Sequence, residues 1–206
     1  MPYEEYWVGK GIDLGTLWGD FERGNNLYVG KYFSTRVYLL QLSFEKYEPN
    51  FPLFNLEAIL KTSKGLFHNL KKSYFSLDEY NLAGPLHVYD ICRGSEKWRF
   101  LAELKPLLLF AIAIWNQIRK GTARHKAEQL ALVEGLRQRF PNSNIEDIMN
   151  FVNSLTMHEE EAALQKLYDQ NLKSIAISTQ PFVGDIRNTE KQLLSLDDIS
   201  SENKQS

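Results

Sequence analysis

The feature that most constrains this chain is the run PLLLFAIAIW at 106–115, ten uncharged and mostly apolar residues. Asn116 and Gln117 end it, and a basic collar follows: Arg119, Lys120, Arg124, His125 and Lys126. Such a run is a membrane anchor, a core helix, or a docking surface beside positive charge. Length argues against spanning, since crossing about 30 Å of hydrocarbon takes about 20 mostly apolar residues. A helix of this length rises only about 15 Å. Glu103 and Lys105 close the run upstream, and each charge placed centrally in a bilayer costs roughly 2.5–3.5 kcal/mol. A helix apolar on all sides belongs at the centre of a core. The sequence therefore predicts a buried helix over 106–119. Pro106 suits its first turn, where a backbone N–H has no intrahelical acceptor anyway. Gly121 marks a kink or a break before the next helix.

Around this helix the periodicity alternates between two kinds. In TRVYLLQLSFEKY (35–47), Tyr38, Leu40, Leu42 and Phe44 recur at period two, with Val37 and Leu39 opposite. This predicts a strand buried on both faces near its start, ended by Pro49 and Pro52. Over 54–74 the period becomes helical: Leu56, Ile59, Leu60, Phe67 and Leu70 share a stripe, with Lys61, Lys64, Lys71 and Lys72 mostly off it. Gly65 inside that helix costs about 1 kcal/mol against Ala. Residues 86–104 read as two strands around the turn signal Gly94–Ser95, with Trp98, Phe100, Ala102 and Leu104 alternating against Arg99 and Glu103.

Past 122 the pattern is helical. Leu130, Val133, Leu136 and Phe140 form the expected inner stripe of a helix over 122–139, and Pro141 stops it. Ser143 with Glu146, and Thr156 with Glu159, fit capping boxes. The first would open a helix burying Ile145, Ile148, Met149, Val152 and Leu155, the second one burying Ala163, Leu164 and Leu167. SIAIS (174–178) reads as a short closing strand. The fold class is thus α+β, a small, mainly antiparallel sheet covered by helices, with a helical C-terminal half. Residues 1–34 are an irregular segment rich in aromatics and glycine, 35–180 a single domain, and 181–206 a disordered tail.

Charge is unevenly spread. Residues 1–60 carry net −3, 61–140 net +7 and 141–206 net −6, which sum to the −2 of the whole chain. Basic and acidic segments that face each other within the fold account for this; a basic surface for nucleic acid is the alternative. The single cysteine, Cys92, excludes an internal disulfide framework and fits a reducing, cytoplasmic setting. MPYEEYWVGKG lacks the basic and apolar regions of a secretory signal.

Catalytic patterns are few. There is no Walker A stretch, and GKGIDLG (9–15) lacks the GxGxxG spacing. No GxSxG elbow occurs. His68, His87, His125 and His158 fall at no metal-ligand spacing such as HxxxH or HExxH, although His125 and Glu128 could share one helix face. Cys92 lies in an apolar stretch, where a buried structural thiol is usual. Asp13, Asp20 and Glu22 carry no spacing that demands a metal. The expectation is therefore no catalytic residue, no metal and no cofactor. The positive candidate is an anion- or nucleic-acid-binding cluster of Arg119, Lys120, Arg124 and Lys126.

The order of these elements, with the Gly94–Ser95 step after an apolar strand and the closing Ser174-Ile175-Ala176-Ile177, resembles a layout seen in uncharacterised bacterial α+β proteins. Some of those are encoded beside, or fused to, conflict and signalling modules. The resemblance spans about 35–178. It implies an adaptor or sensor role and supplies no catalytic residues. The functional expectation is a non-enzymatic interaction module, an adaptor or regulatory subunit acting through a protein partner or a second copy, in a bacterial defence or signalling complex. A nucleic-acid-binding accessory protein using the basic 61–140 region is the alternative, and an enzyme of unrecognised type a further one.

Overall fold

The computed structural model describes residues 37–44, 53–76, 86–91, 97–122, 124–155, 172–182 and 186–202. It has an α+β fold. In chain order the elements are β1 (Val37–Phe44), α1 (Leu53–Tyr74), β2 (His87–Ile91), β3 (Lys97–Glu103), α2 (Leu104–Arg119), α3 (His125–Arg139), α4 (Ile145–Ser154), β4 (Leu172–Ser178), α5 (Ile186–Glu190), β5 (Leu193–Ser195) and α6 (Leu196–Glu202). The strands make one five-stranded sheet in the order β2-β3-β1-β4-β5, and every neighbouring pair is antiparallel.

Period-two patterning sets the register. Leu40 faces Phe100 and Ile177, and Leu42 faces Trp98 and Ile175. One face of the sheet thus carries Leu40, Leu42, Phe44, Trp98, Phe100, Ala102, Ile175 and Ile177 into the main core. A one-residue slip would turn this whole set to the wrong side. Val37, Leu39 and Leu101 point the other way and bury against Phe182 in a second, smaller cluster, with Tyr89, Ile186 and Leu193 at its margin. β1 is therefore buried on both faces, as its sequence predicts.

β3 runs into α2 without a loop: Glu103 ends the strand and serves as helix N-cap, with extended backbone and no side-chain cap. The helix begins two residues earlier than Pro106, which becomes its third residue and so still lies among the unbonded N–H groups of the first turn. Pro106 to Asn116 are all buried. α2 packs on α1 and α4 and covers β1, β3 and β4. Phe110 meets Phe67 of α1 and Phe100 of β3 edge-on, with ring centroids 5.8 and 6.2 Å apart. The apolar run is thus the central helix of the core, and among the described residues no helix is long and apolar enough to cross a membrane.

Several expectations change. Residues 186–202 do not form a disordered tail but α5, β5 and α6. β5 pairs with β4, so 174–178 is an inner strand rather than the closing one. Leu196 and Ile199 are fully buried in the main core, and α6 packs against α3 and β4. The apolar residues of this segment are sparse and split among three short elements, so only the tertiary surface of α3 and β4 makes their burial worthwhile.

On α3 Leu136 is buried as expected, as is Phe140 just past the helix, and Val133 packs half-buried on the core; Leu132 and Gly135 complete the inner side, and Leu130 departs from the expected stripe at 73% exposed. The cap of α4 is Asn144, one residue beyond Ser143, and its side-chain oxygen accepts from the Asp147 N–H. Lys71 is buried rather than off the stripe, and its ammonium stands over the Phe67 ring at 5.9 Å. The desolvation lowers its pKa, against an opposing pull from Glu103. The paired strands β2 and β3 match the expected two-strand reading, although Gly94 and Ser95 lie outside the described residues. So do Cys92, the 1–34 segment and the proposed Thr156 helix start.

Candidate functional site

The basic collar sits where α2 turns into α3. Arg119 closes α2, and the Thr122 N–H donates to the Arg119 carbonyl at 3.1 Å. Between them Lys120 has φ −58° and ψ 126°, and Gly121 has φ +88°. These are the dihedrals of a type II turn, whose third position demands positive φ and hence favours glycine. The Thr122 hydroxyl adds a second bond to the same carbonyl at 2.9 Å. The His125 N–H then donates to the Thr122 carbonyl at 3.1 Å, and α3 begins. Gly121 is therefore a break between two helices, not a kink in one.

The fold divides the four predicted residues. Arg119 turns inward: its guanidinium pairs with Asp197 at the start of α6 and lies 4.0 Å from Glu128 on α3. Lys120, Arg124 and Lys126 are exposed, and they enter no ion pair among the described residues. Two further arginines of the basic middle region are also taken up within the chain. Arg137 bonds Glu146 at 2.7 Å, and Arg139 bonds Glu202 at 2.9 Å. Arg119 and Arg139 thereby hold α6 toward either end of α3. The charge segregation along the sequence is, to this extent, internal complementarity between the basic middle and the acidic C-terminal helices.

Two features of the site carry no sequence motif. The first is a stack: the His125 ring lies nearly parallel to that of Trp115, 26° between planes and 6.1 Å between centroids. Trp115 is 2% exposed. Its Nε1 and the His125 Nδ1 are buried and make no hydrogen bond among the described residues. Burial pushes the His125 pKa below its usual value; Glu128 opposes this and Lys120 reinforces it. The second is an amide cluster behind the turn. Asn116 donates to Asn153 at 2.9 Å, and Gln129 donates to Asn153 at 2.9 Å and to Asn116 at 3.2 Å. It ties α2, α3 and α4 together, running from buried Asn116 out to exposed Asn153. In the sequence, Asn116 and Gln117 mark only the end of the apolar run.

His125 and Glu128 do lie on one helix face, but among the described residues no three His, Cys, Asp or Glu side chains converge as metal ligands. What the exposed arrangement can do chemically is attract anions. Three cations surround a turn that leads into the N-terminus of a 15-residue helix, the positive end of its dipole. Leu130 lies one turn beyond Lys126 on the same stripe. No family model, curated protein or solved structure matches this chain.

Proposed function

We propose that the protein is a non-enzymatic interaction module, an adaptor or regulatory subunit working through a protein partner. The observation that supports this reading is the exposure of Lys120, Arg124 and Lys126 around the α2–α3 turn, with Leu130, 73% exposed, one helical turn beyond Lys126. Cations not consumed by the fold beside an uncovered large apolar side chain suit a partner surface with acidic groups around an apolar contact. The resemblance to α+β proteins found beside conflict and signalling modules is the ground for placing the partner in a bacterial defence or signalling complex. The single cysteine favours a cytoplasmic setting.

Affinity capture from a native lysate, with sizing of the purified chain, tests the reading. A specific partner or a defined oligomer is expected. Both should be lost when Lys120, Arg124 and Lys126 are replaced by Glu and Leu130 by Asp, while circular dichroism stays unchanged. A strict monomer with no partner, or capture indifferent to these four substitutions, overturns it.

The same three cations favour nucleic acid as the second reading. Because Arg119, Arg137 and Arg139 are engaged with carboxylates, the phosphate contacts available at this turn number about three and would contribute about −2 to −3 to the salt slope of log K, with exposed Lys64 and Lys72 of the 61–140 region adding to it. No measurable binding to DNA or RNA at low salt removes this alternative.

A further inference from the structure

His125 is the first residue of α3, and its ring is held flat against an indole that belongs to the core. A neutral imidazole carries one N–H and one lone pair, so leaving the buried Nδ1 without a partner is tolerable. An imidazolium carries two N–H groups, and its Nδ1–H would point where no acceptor bonds it among the described residues. The cations nearest in sequence are Arg119 at the end of α2, Lys120 in the turn, and Arg124 and Lys126 at the start of α3; of these Lys120 acts on His125, less strongly than Glu128. The α3 N-terminus adds its own partial positive charge. Glu128 on α3 opposes them, and so, more remotely, does Asp197 on α6; both are turned toward Arg119. A cation lying on an indole gains some attraction, but it does not satisfy the buried N–H.

Gly121, at positive φ and with nothing within 4 Å of where a Cβ would stand, is the glycine of the link between α2 and α3. We propose that Trp115 and His125 form a pH-sensitive latch on the α2–α3 turn. The neutral ring lies on the indole and holds the first turn of α3 against the end of α2; protonation drives the ring off into water, with Gly121 as hinge. The displaced segment carries Arg124 and Lys126 while Lys120 stays on the α2 side of the hinge, so release rearranges the exposed cations and adds one more charge. The latch does not depend on what those cations bind. The lowered pKa of His125, caused first by burial, agrees with this geometry.

The test is an NMR titration of the isolated full chain through the histidine range, following the His125 Cε1–H and the Trp115 indole N–H together. The His125 midpoint should lie below 6.5, and the Trp115 resonance should shift at that same midpoint. His125→Phe keeps a flat ring and removes the proton, so the Trp115 transition should vanish. Glu128→Gln removes the main opposing charge, so the midpoint should fall further. A His125 midpoint at or above 6.5, a Trp115 signal that stays still through it, or a Trp115 transition that survives in His125→Phe overturns the latch. If His125→Phe does not fold, the wild-type and Glu128→Gln titrations decide the matter.

Discussion

Truncating Ile199 to alanine is the sharpest probe of how this fold closes. Ile199 is 1% exposed, on the short helix α6, and packs in the main core with Leu196, which is 0% exposed. The change removes three buried carbons. At about 0.8 kcal/mol each, the transfer loss alone is about 2.4 kcal/mol. The space left beneath α6 adds to that, within the range of about 2–5 kcal/mol seen for such truncations. The ion pairs that flank the helix, Arg119–Asp197 and Arg139–Glu202, are part-exposed. At about 0–1 kcal/mol each they do not offset the loss. Urea unfolding followed by circular dichroism should show the full cost, and the melting temperature should fall by about 5–15 °C at about 2–4 °C per kcal/mol. Ser201→Ala is the control, an exposed position on the same helix whose hydroxyl bonds the Asp198 carbonyl. It should stay within about 0.5 kcal/mol of wild type. If Ile199→Ala behaves like Ser201→Ala, α6 is not part of the core and the reasoning fails.

Other outcomes follow from single positions. Gly65→Ala should raise stability by about 0.5–1 kcal/mol, because the site is mid-helix with open space around the new methyl; Gly121→Ala should lower it by about 1–2 kcal/mol, because φ there is +88°; thermal melts of the two variants should move in opposite directions. Asn116→Leu should cost about 1–3 kcal/mol, since Gln129 and Asn153 each lose a bond to a buried amide, read by denaturant midpoint. A double-mutant cycle on Arg119→Met and Asp197→Asn should give a coupling below about 1 kcal/mol that shrinks with added salt. The Lys71 pKa is lowered by burial, so the folded chain sheds this proton before the unfolded chain does, and stability rises with pH up to 10.5. Lys71→Met should therefore gain stability relative to wild type at neutral pH, with the gap closing as alkaline titration approaches 10.5.

Local periodicity carries the sheet faces and the central helix. The two-residue alternation in β1 and β3 named both faces of the sheet, down to Leu40 and Leu42 on one side and Val37 and Leu39 on the other. The uninterrupted apolar run, too short to span a bilayer, identified α2 as the core helix. Pro106 and Gly121 bounded it because each acts on backbone dihedrals within a turn or two. Tertiary structure decided everything whose partner is remote. Asp197 meets Arg119 across 78 residues of chain, and neither residue advertises the other. Leu193, Leu196 and Ile199 are too few and too scattered to organise their own segment, so a stretch that reads as a polar tail becomes ordered only on a surface supplied by α3 and β4. Likewise Leu130 and Leu132 are equally apolar, and only the packing of α3 against its neighbours chose which one to bury. The collar was legible as charge. That it splits into one internal arginine, three exposed cations and a histidine lying on a buried tryptophan follows from where a five-stranded sheet puts the ends of its helices.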